Sequence, residues 1–186
     1  MKLLLTSAGL NNELLAGFFI KTMEKDMQSV KALFITTAAN NPDAVEVLPK
    51  CLNDLLKVGI TRENIIVYDM HAGLSLGELQ IFDVIYICGG STAYLLERMK
   101  RTGFDISLQA YAEAGGYVLG VSAGSIALAS NNEKCLGIVD CCLHVHCEQG
   151  IALGELDLEL QNTLRLTNEQ AIYYNGQKAV VCGEEG

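Results

Sequence analysis

Tyr117-Val118-Leu119-Gly120-Val121-Ser122-Ala123-Gly124-Ser125-Ile126-Ala127-Leu128-Ala129 decides how the chain is read. An apolar run leads into Gly-Val-Ser-Ala-Gly, and small and apolar residues follow. That order predicts a strand, a sharp turn and a helix with Ser122 at the apex, the arrangement of a nucleophile elbow. Glycine at 120 and 124 suits a turn so tight that a side chain at either position would meet the adjoining strand or helix. A serine at such a bend stands exposed at a helix N-terminus, where free N–H groups favour developing negative charge. The same letters also describe a Gly-rich turn that only lets a helix pack, so the surrounding chain has to decide.

Upstream of this stretch, short apolar runs alternate with longer amphipathic ones. Residues 3–7, 30–37, 64–69, 83–88 and 117–121 read as strands. Residues 12–25 and 43–58 repeat apolar positions at helical spacing, 74–80 is a shorter helical link, and helices follow through Lys100 and over 106–114. Nearly all-apolar strands alternating with helices imply a parallel sheet covered on both faces, a three-layer α/β sandwich. Right-handed crossovers then gather the active loops at the carboxyl ends of the strands, where Gly89-Gly90 and Ser122 both fall. After residue 130 the pattern turns to β segments at 136–140, 143–146, 171–174 and 178–182. Asn175-Gly176 between the last two is a strong signal for a C-terminal β-hairpin. One α/β domain is expected over residues 1–186, with a frayed end at 184–186.

With 50% hydrophobic and 19% charged residues, the composition is that of a chain with a packed core and not of a disordered one. The net charge of −9 repels phosphate backbones and anionic surfaces, so neither nucleic acid nor membrane is an expected partner. Seven cysteines, an odd number and several in apolar runs, read as reduced thiols and not as a disulfide framework. The apolar start Met1-Lys2-Leu3-Leu4-Leu5 breaks at Thr6-Ser7, which is short for an export signal, and a cytoplasmic setting is expected.

A serine hydroxyl needs a general base, and the base needs an orienting group. The chain offers three histidines: His71 after the third strand, and His144 and His146 two apart in an extended run that points both to one face. Glu133 and Asp140 are the candidate acids between the elbow and these histidines. Ala123 N–H is the expected first donor of an oxyanion hole, and the Gly89-Gly90-Ser91 loop is the source of a second. No dinucleotide or P-loop pattern accompanies that loop, so no nucleotide cofactor is expected.

GVSAGS at 120–125, the GGST loop at 89–92 after a hydrophobic strand and a histidine soon after the elbow resemble the dipeptidase E family. These are serine peptidases related to aspartyl dipeptidase and cyanophycinase. The resemblance covers roughly residues 1–150. It implies a flavodoxin-like, class I glutamine amidotransferase-like fold and a Ser-His-acid triad cleaving small peptides, with no cofactor and no metal. Carried over, the nucleophile falls on Ser122, the oxyanion loop on Gly89 and Gly90, the histidine on His146 and the acid on Glu133. The proline and aromatic that usually flank the family's histidine are absent around His146, and Ser91 replaces a common asparagine. Arg165 is the one arginine after the histidine, so no basic site for a substrate's N-terminal aspartate is evident. The expected partner is a small peptide, with the chain acting as a monomer or homodimer.

Other readings start from the same residues. An esterase or amidase would use the same nucleophile. Cys142, His144, His146 and Cys147 suggest a metal site, although alternation turns Cys147 away from the two histidines. A non-catalytic or thiol-dependent relative would rely on Cys88 or Cys141.

Overall fold

Eleven elements come first in the computed structural model, which describes residues 1–185. They are β1 (Lys2–Thr6), α1 (Glu13–Met23), β2 (Ala32–Ile35), α2 (Pro42–Lys57), β3 (Ile65–Tyr68), α3 (Leu76–Leu79), β4 (Val84–Ile87), α4 (Thr92–Thr102), α5 (Phe104–Glu113), β5 (Tyr117–Val121) and α6 (Ala123–Leu128). They are followed by β6 (Cys142–His144), β7 (Gly154–Leu156), β8 (Thr163–Arg165), β9 (Gln170–Tyr174) and β10 (Ala179–Gly183). Gly186, the last residue of the expected domain and of its frayed end, lies outside the described residues.

The main sheet has eight strands in the order β3-β2-β4-β5-β1-β9-β10-β7. The first five are mutually parallel, and β9, β10 and β7 extend the sheet by antiparallel pairing. Alternation along each central strand sends side chains to two separate cores. Leu3, Leu5, Ile35, Ile87 and Val118 pack with α4, α5 and α6 on one face. Leu4, Phe34, Tyr86, Leu119 and Val121 pack with α1 and α2 on the other. This is the expected αβα sandwich with a mostly parallel sheet. Leu3, Leu4 and Leu5 are wholly buried, each contributing about 1.5–3 kcal/mol of hydrophobic stabilisation.

Local signals set the helix starts. Asn12 and Asn41 cap α1 and α2, accepting from Leu15 N–H at 2.8 Å and Ala44 N–H at 3.0 Å. Ser91 caps α4 by accepting from Tyr94 N–H at 3.3 Å. The expected hairpin joins β9 and β10 across Asn175–Lys178. There the Asn175 side chain accepts from the N–H groups of Gln177 and Lys178, and Gly176 takes φ 93°.

Two differences from the sequence reading stand out. Residues 136–140 form no strand: Leu136, Gly137, Ile138 and Val139 donate instead to the carbonyls of Ala127, Ala129 and Leu128. The open C-terminal end of α6 takes up those donors, and the alternating apolar pattern serves to bury Val139. β7 and β8 were not expected, because three-residue strands in polar surroundings carry too little periodicity to read. β8 pairs in parallel with β6 in a small second sheet. Among the described residues no helix is long and apolar enough to cross a membrane.

Candidate active site

β5 ends at Val121 and α6 begins at Ala123, so Ser122 alone makes the turn, at φ 49° and ψ −107°. The glycines allow it. A Cβ on Gly120 would lie 2.7 Å from the Ser125 nitrogen, and one on Gly124 would run into the Ile87 carbonyl of the neighbouring strand. β1 holds the bend from the other side. Ser122 N–H and the Ser125 hydroxyl both donate to the Thr6 carbonyl, at 3.0 Å and 2.8 Å. The Thr6 hydroxyl donates to the Gly120 carbonyl at 2.9 Å.

His146 Nε2 lies 2.9 Å from Ser122 Oγ. His146 also has a left-handed backbone, φ 58°, and its N–H donates to the buried Ser7 Oγ at 2.7 Å. On the far side of the ring, Nδ1 lies 2.7 Å from Asn168 Oδ1 and 3.5 Å from Ser7 Oγ. The Ser7 hydroxyl in turn faces Asn168 Oδ1 at 3.4 Å. Asn168 is held by its neighbours: Glu169 accepts from the side chains of Asn11 and Asn12 at the start of α1, at 3.0 Å and 2.9 Å.

The group on the imidazole is therefore Asn168 and not Glu133. Glu133 is exposed in a loop closed on itself, where Lys134 N–H donates to Asn132 Oδ1 and Cys135 N–H to the Asn132 carbonyl. Asp140, the other candidate, accepts from the Ser130 hydroxyl at 2.9 Å. The loop turns outward because Asn131 is tied to the backbone of Leu143.

Of the remaining histidines, His71 contacts the Asp69 carbonyl at 2.6 Å beside Tyr68. His144 faces Cys142 Sγ at 3.7 Å on β6. Neither reaches Ser122. Among the described residues no three His, Cys, Asp or Glu side chains are grouped to hold a metal ion.

Gly89 lies against Ser122: a Cβ there would be 3.3 Å from Ser122 Cβ. Gly90 takes φ 138° and passes so close to the Ala38 carbonyl that no side chain fits. Among the described residues, the N–H groups of Gly89 and Gly90 have no backbone acceptor. Ala123 opens α6, so its N–H has no intrahelical acceptor either. Gly89, Gly90 and the Ser122–His146–Asn168 row border one cavity of about 560 Å³, which α2 also walls.

All seven cysteines are free. Burial pushes the Cys141 thiol up to about 12 and the Cys88 thiol well above its ordinary value, which leaves both protonated and poor nucleophiles.

Ser7 and Asn168 escaped the sequence reading. For Asn168 the sequence supplied only the hairpin, and the pairing of β9 with β1 supplies the rest. The Asn-Gly hairpin makes β9 and β10 antiparallel, and β9 runs against β1, so the loop entering β9 arrives at the carboxyl ends of the parallel strands.

The model of Peptidase family S51 matches residues 3–137. The chain belongs to that family. The match takes in Gly89, Gly90 and Ser122 and stops before His146 and Asn168. An uncharacterized peptidase of Listeria monocytogenes serovar 1/2a is 29% identical over 108 residues, which are 58% of this chain and 53% of the relative. One of Listeria innocua serovar 6a is 30% identical over 108 residues, 58% and 52% of the two chains. The chain thus spans about half the length of the curated relatives it matches. A solved structure of a candidate peptidase E from Listeria monocytogenes EGD-e superposes with a TM-score of 0.77 at 22% identity, covering 99% of this chain and 98% of that one. A peptidase from an acI-B1 Actinobacterium gives 0.68 at 17% identity, covering 98% and 87%. At these identities the two structures attest the fold.

Proposed function

We propose that the chain is a serine peptidase that cleaves short peptides through an acyl-enzyme on Ser122. The observation that carries the reading is the 2.9 Å approach of His146 Nε2 to a serine fixed at a strained bend. Membership of family S51 supports the same chemistry.

In the first step, Ser122 Oγ attacks the scissile carbonyl carbon and His146 Nε2 takes its proton. Negative charge then develops on the carbonyl oxygen, which the N–H groups of Ala123 and of Gly89 or Gly90 stabilise. The imidazolium returns its proton to the leaving amine as the C–N bond breaks. Water, deprotonated by the same nitrogen, releases the acyl group and restores Ser122. Asn168 Oδ1 accepts from Nδ1–H, so the lone pair stays on Nε2 where the serine needs it. The neutral amide orients the ring without adding charge beside the imidazolium, the arrangement of Cys-His-Asn sites.

A fluorophosphonate probe labels Ser122 in the native protein, and Ser122→Ala abolishes labelling and peptide cleavage together. Labelling that persists in the variant refutes the assignment.

A further inference from the structure

One face of α2 forms a wall of the cavity beside Ser122. Asp43, Ala44, Val47, Leu48, Lys50 and Cys51 all line it, the spacing of a helix presenting a single side. Asp43 lies in the first turn and Lys50 seven residues on, about 10 Å along the helix axis. Between them the wall is apolar, and Ala8 and Val121 add apolar surface elsewhere around the cavity. Among the described lining residues Asp43 is the one carboxylate and Lys50 the one ammonium. Neither forms an ion pair within the described chain. A position at a helix N-terminus accounts for an acidic Asp43 by itself. It does not account for a cation two turns away on the same face.

A cavity with a negative end, an apolar middle and a positive end complements a zwitterion. Extended peptide covers about 3.3–3.6 Å per residue, so about 10 Å holds two or three residues. We infer that the cavity receives free di- and tripeptides with uncharged side chains, Asp43 taking the N-terminal ammonium and Lys50 the C-terminal carboxylate. The inference rests on the peptidase reading of Ser122 and names its substrate class. With Lys50 engaged by the terminal carboxylate, no second lysine or arginine lines the cavity to receive an aspartyl side chain.

The test compares kcat/KM for Ala-Ala and Leu-Ala with their N-acetylated and C-amidated forms, Asp-Ala and pentaalanine. The free dipeptides are expected to exceed each blocked form, Asp-Ala and pentaalanine. Asp43→Asn should shrink the ratio of free to N-acetylated substrate by up to about fivefold, the scale of one ion pair made by an exposed side chain. Lys50→Gln should do the same to the ratio of free to amidated substrate. The selectivity of the unaltered protein decides the matter even if a variant fails to fold. Faster cleavage of Asp-Ala or pentaalanine, or ratios that neither substitution moves, overturns the inference. Labelling of Ser122 without cleavage of any of these peptides overturns it while leaving the nucleophile assignment standing. Absence of labelling removes both.

Discussion

A serine at φ 49° and a histidine at φ 58° occupy backbone conformations that L-residues avoid, at about 1–3 kcal/mol each. Both are braced: Ser122 N–H by the Thr6 carbonyl, His146 N–H by Ser7 Oγ. Thr6, the last residue of β1, and Ser7, the next, thus fix Ser122 and His146 together. Asn168 completes the row, and its worth can be measured. Asn168→Ala should lower kcat by about 10²-fold, toward the lower range of general-base contributions. Asn168→Asp should retain most of the rate and move the acid limb of the pH–rate profile to higher pH, because a carboxylate favours the charged imidazole. An unaltered profile in the aspartate variant would show that residue 168 does not face the ring in solution.

The elbow, as an element, tolerates little. Gly124→Ala places a methyl group against the Ile87 carbonyl, and the backbone of β4 or α6 has to shift. A loss of about 1–3 kcal/mol, read as a lower Tm, is expected together with loss of probe labelling. α2 carries a different sensitivity. Asp54 is buried with Leu10 N–H and the Tyr86 hydroxyl donating to its Oδ2, at 3.0 Å and 3.3 Å. Burial raises the Asp54 carboxyl above its ordinary value. The folded state therefore holds this proton where the unfolded chain has released it, and Asp54 lowers stability as pH climbs through and above the ordinary carboxylate range. Asp54→Asn keeps an oxygen for both donors. Its Tm relative to the unaltered protein should improve from pH 4 to pH 7, and a difference that stays flat would contradict the burial argument. The elbow was legible because glycine, serine and apolar runs act locally. The orienting residue was not, because Glu133 and Asp140 lie near the elbow and the histidines in sequence whereas the true neighbour of the ring is reached only through the fold. The antiparallel return of β9 brings in Asn168 from beyond them.

Across the whole molecule, stability is uneven. β1, β4 and β5 lie in the middle of the sheet between two cores, whereas residues 152–163 are mostly exposed and include the short β7. Hydrogen exchange should leave the amides of Leu3–Leu5, Ile85–Ile87 and Val118–Leu119 protected longest, and those of 152–163 should exchange fastest. Slow exchange in that stretch would mean it packs more firmly than its exposure indicates. The parallel half of the sheet followed from strand–helix alternation, and the antiparallel extension was only half visible, through its hairpin. β7 and β8 are fixed by pairing with distant strands, which no local pattern records.

The three groups of the row and the serine that braces it come from positions 122, 146, 168 and 7, and the order in which they are made follows from that. When Ser122 is added to the growing chain, the imidazole that will face it has not been synthesised, and the amide on the far side of the ring comes later still. On the proposed reading, the hydroxyl of a half-made chain is no more nucleophilic than any free serine, and the row that would activate it assembles only once translation has passed the loop entering β9.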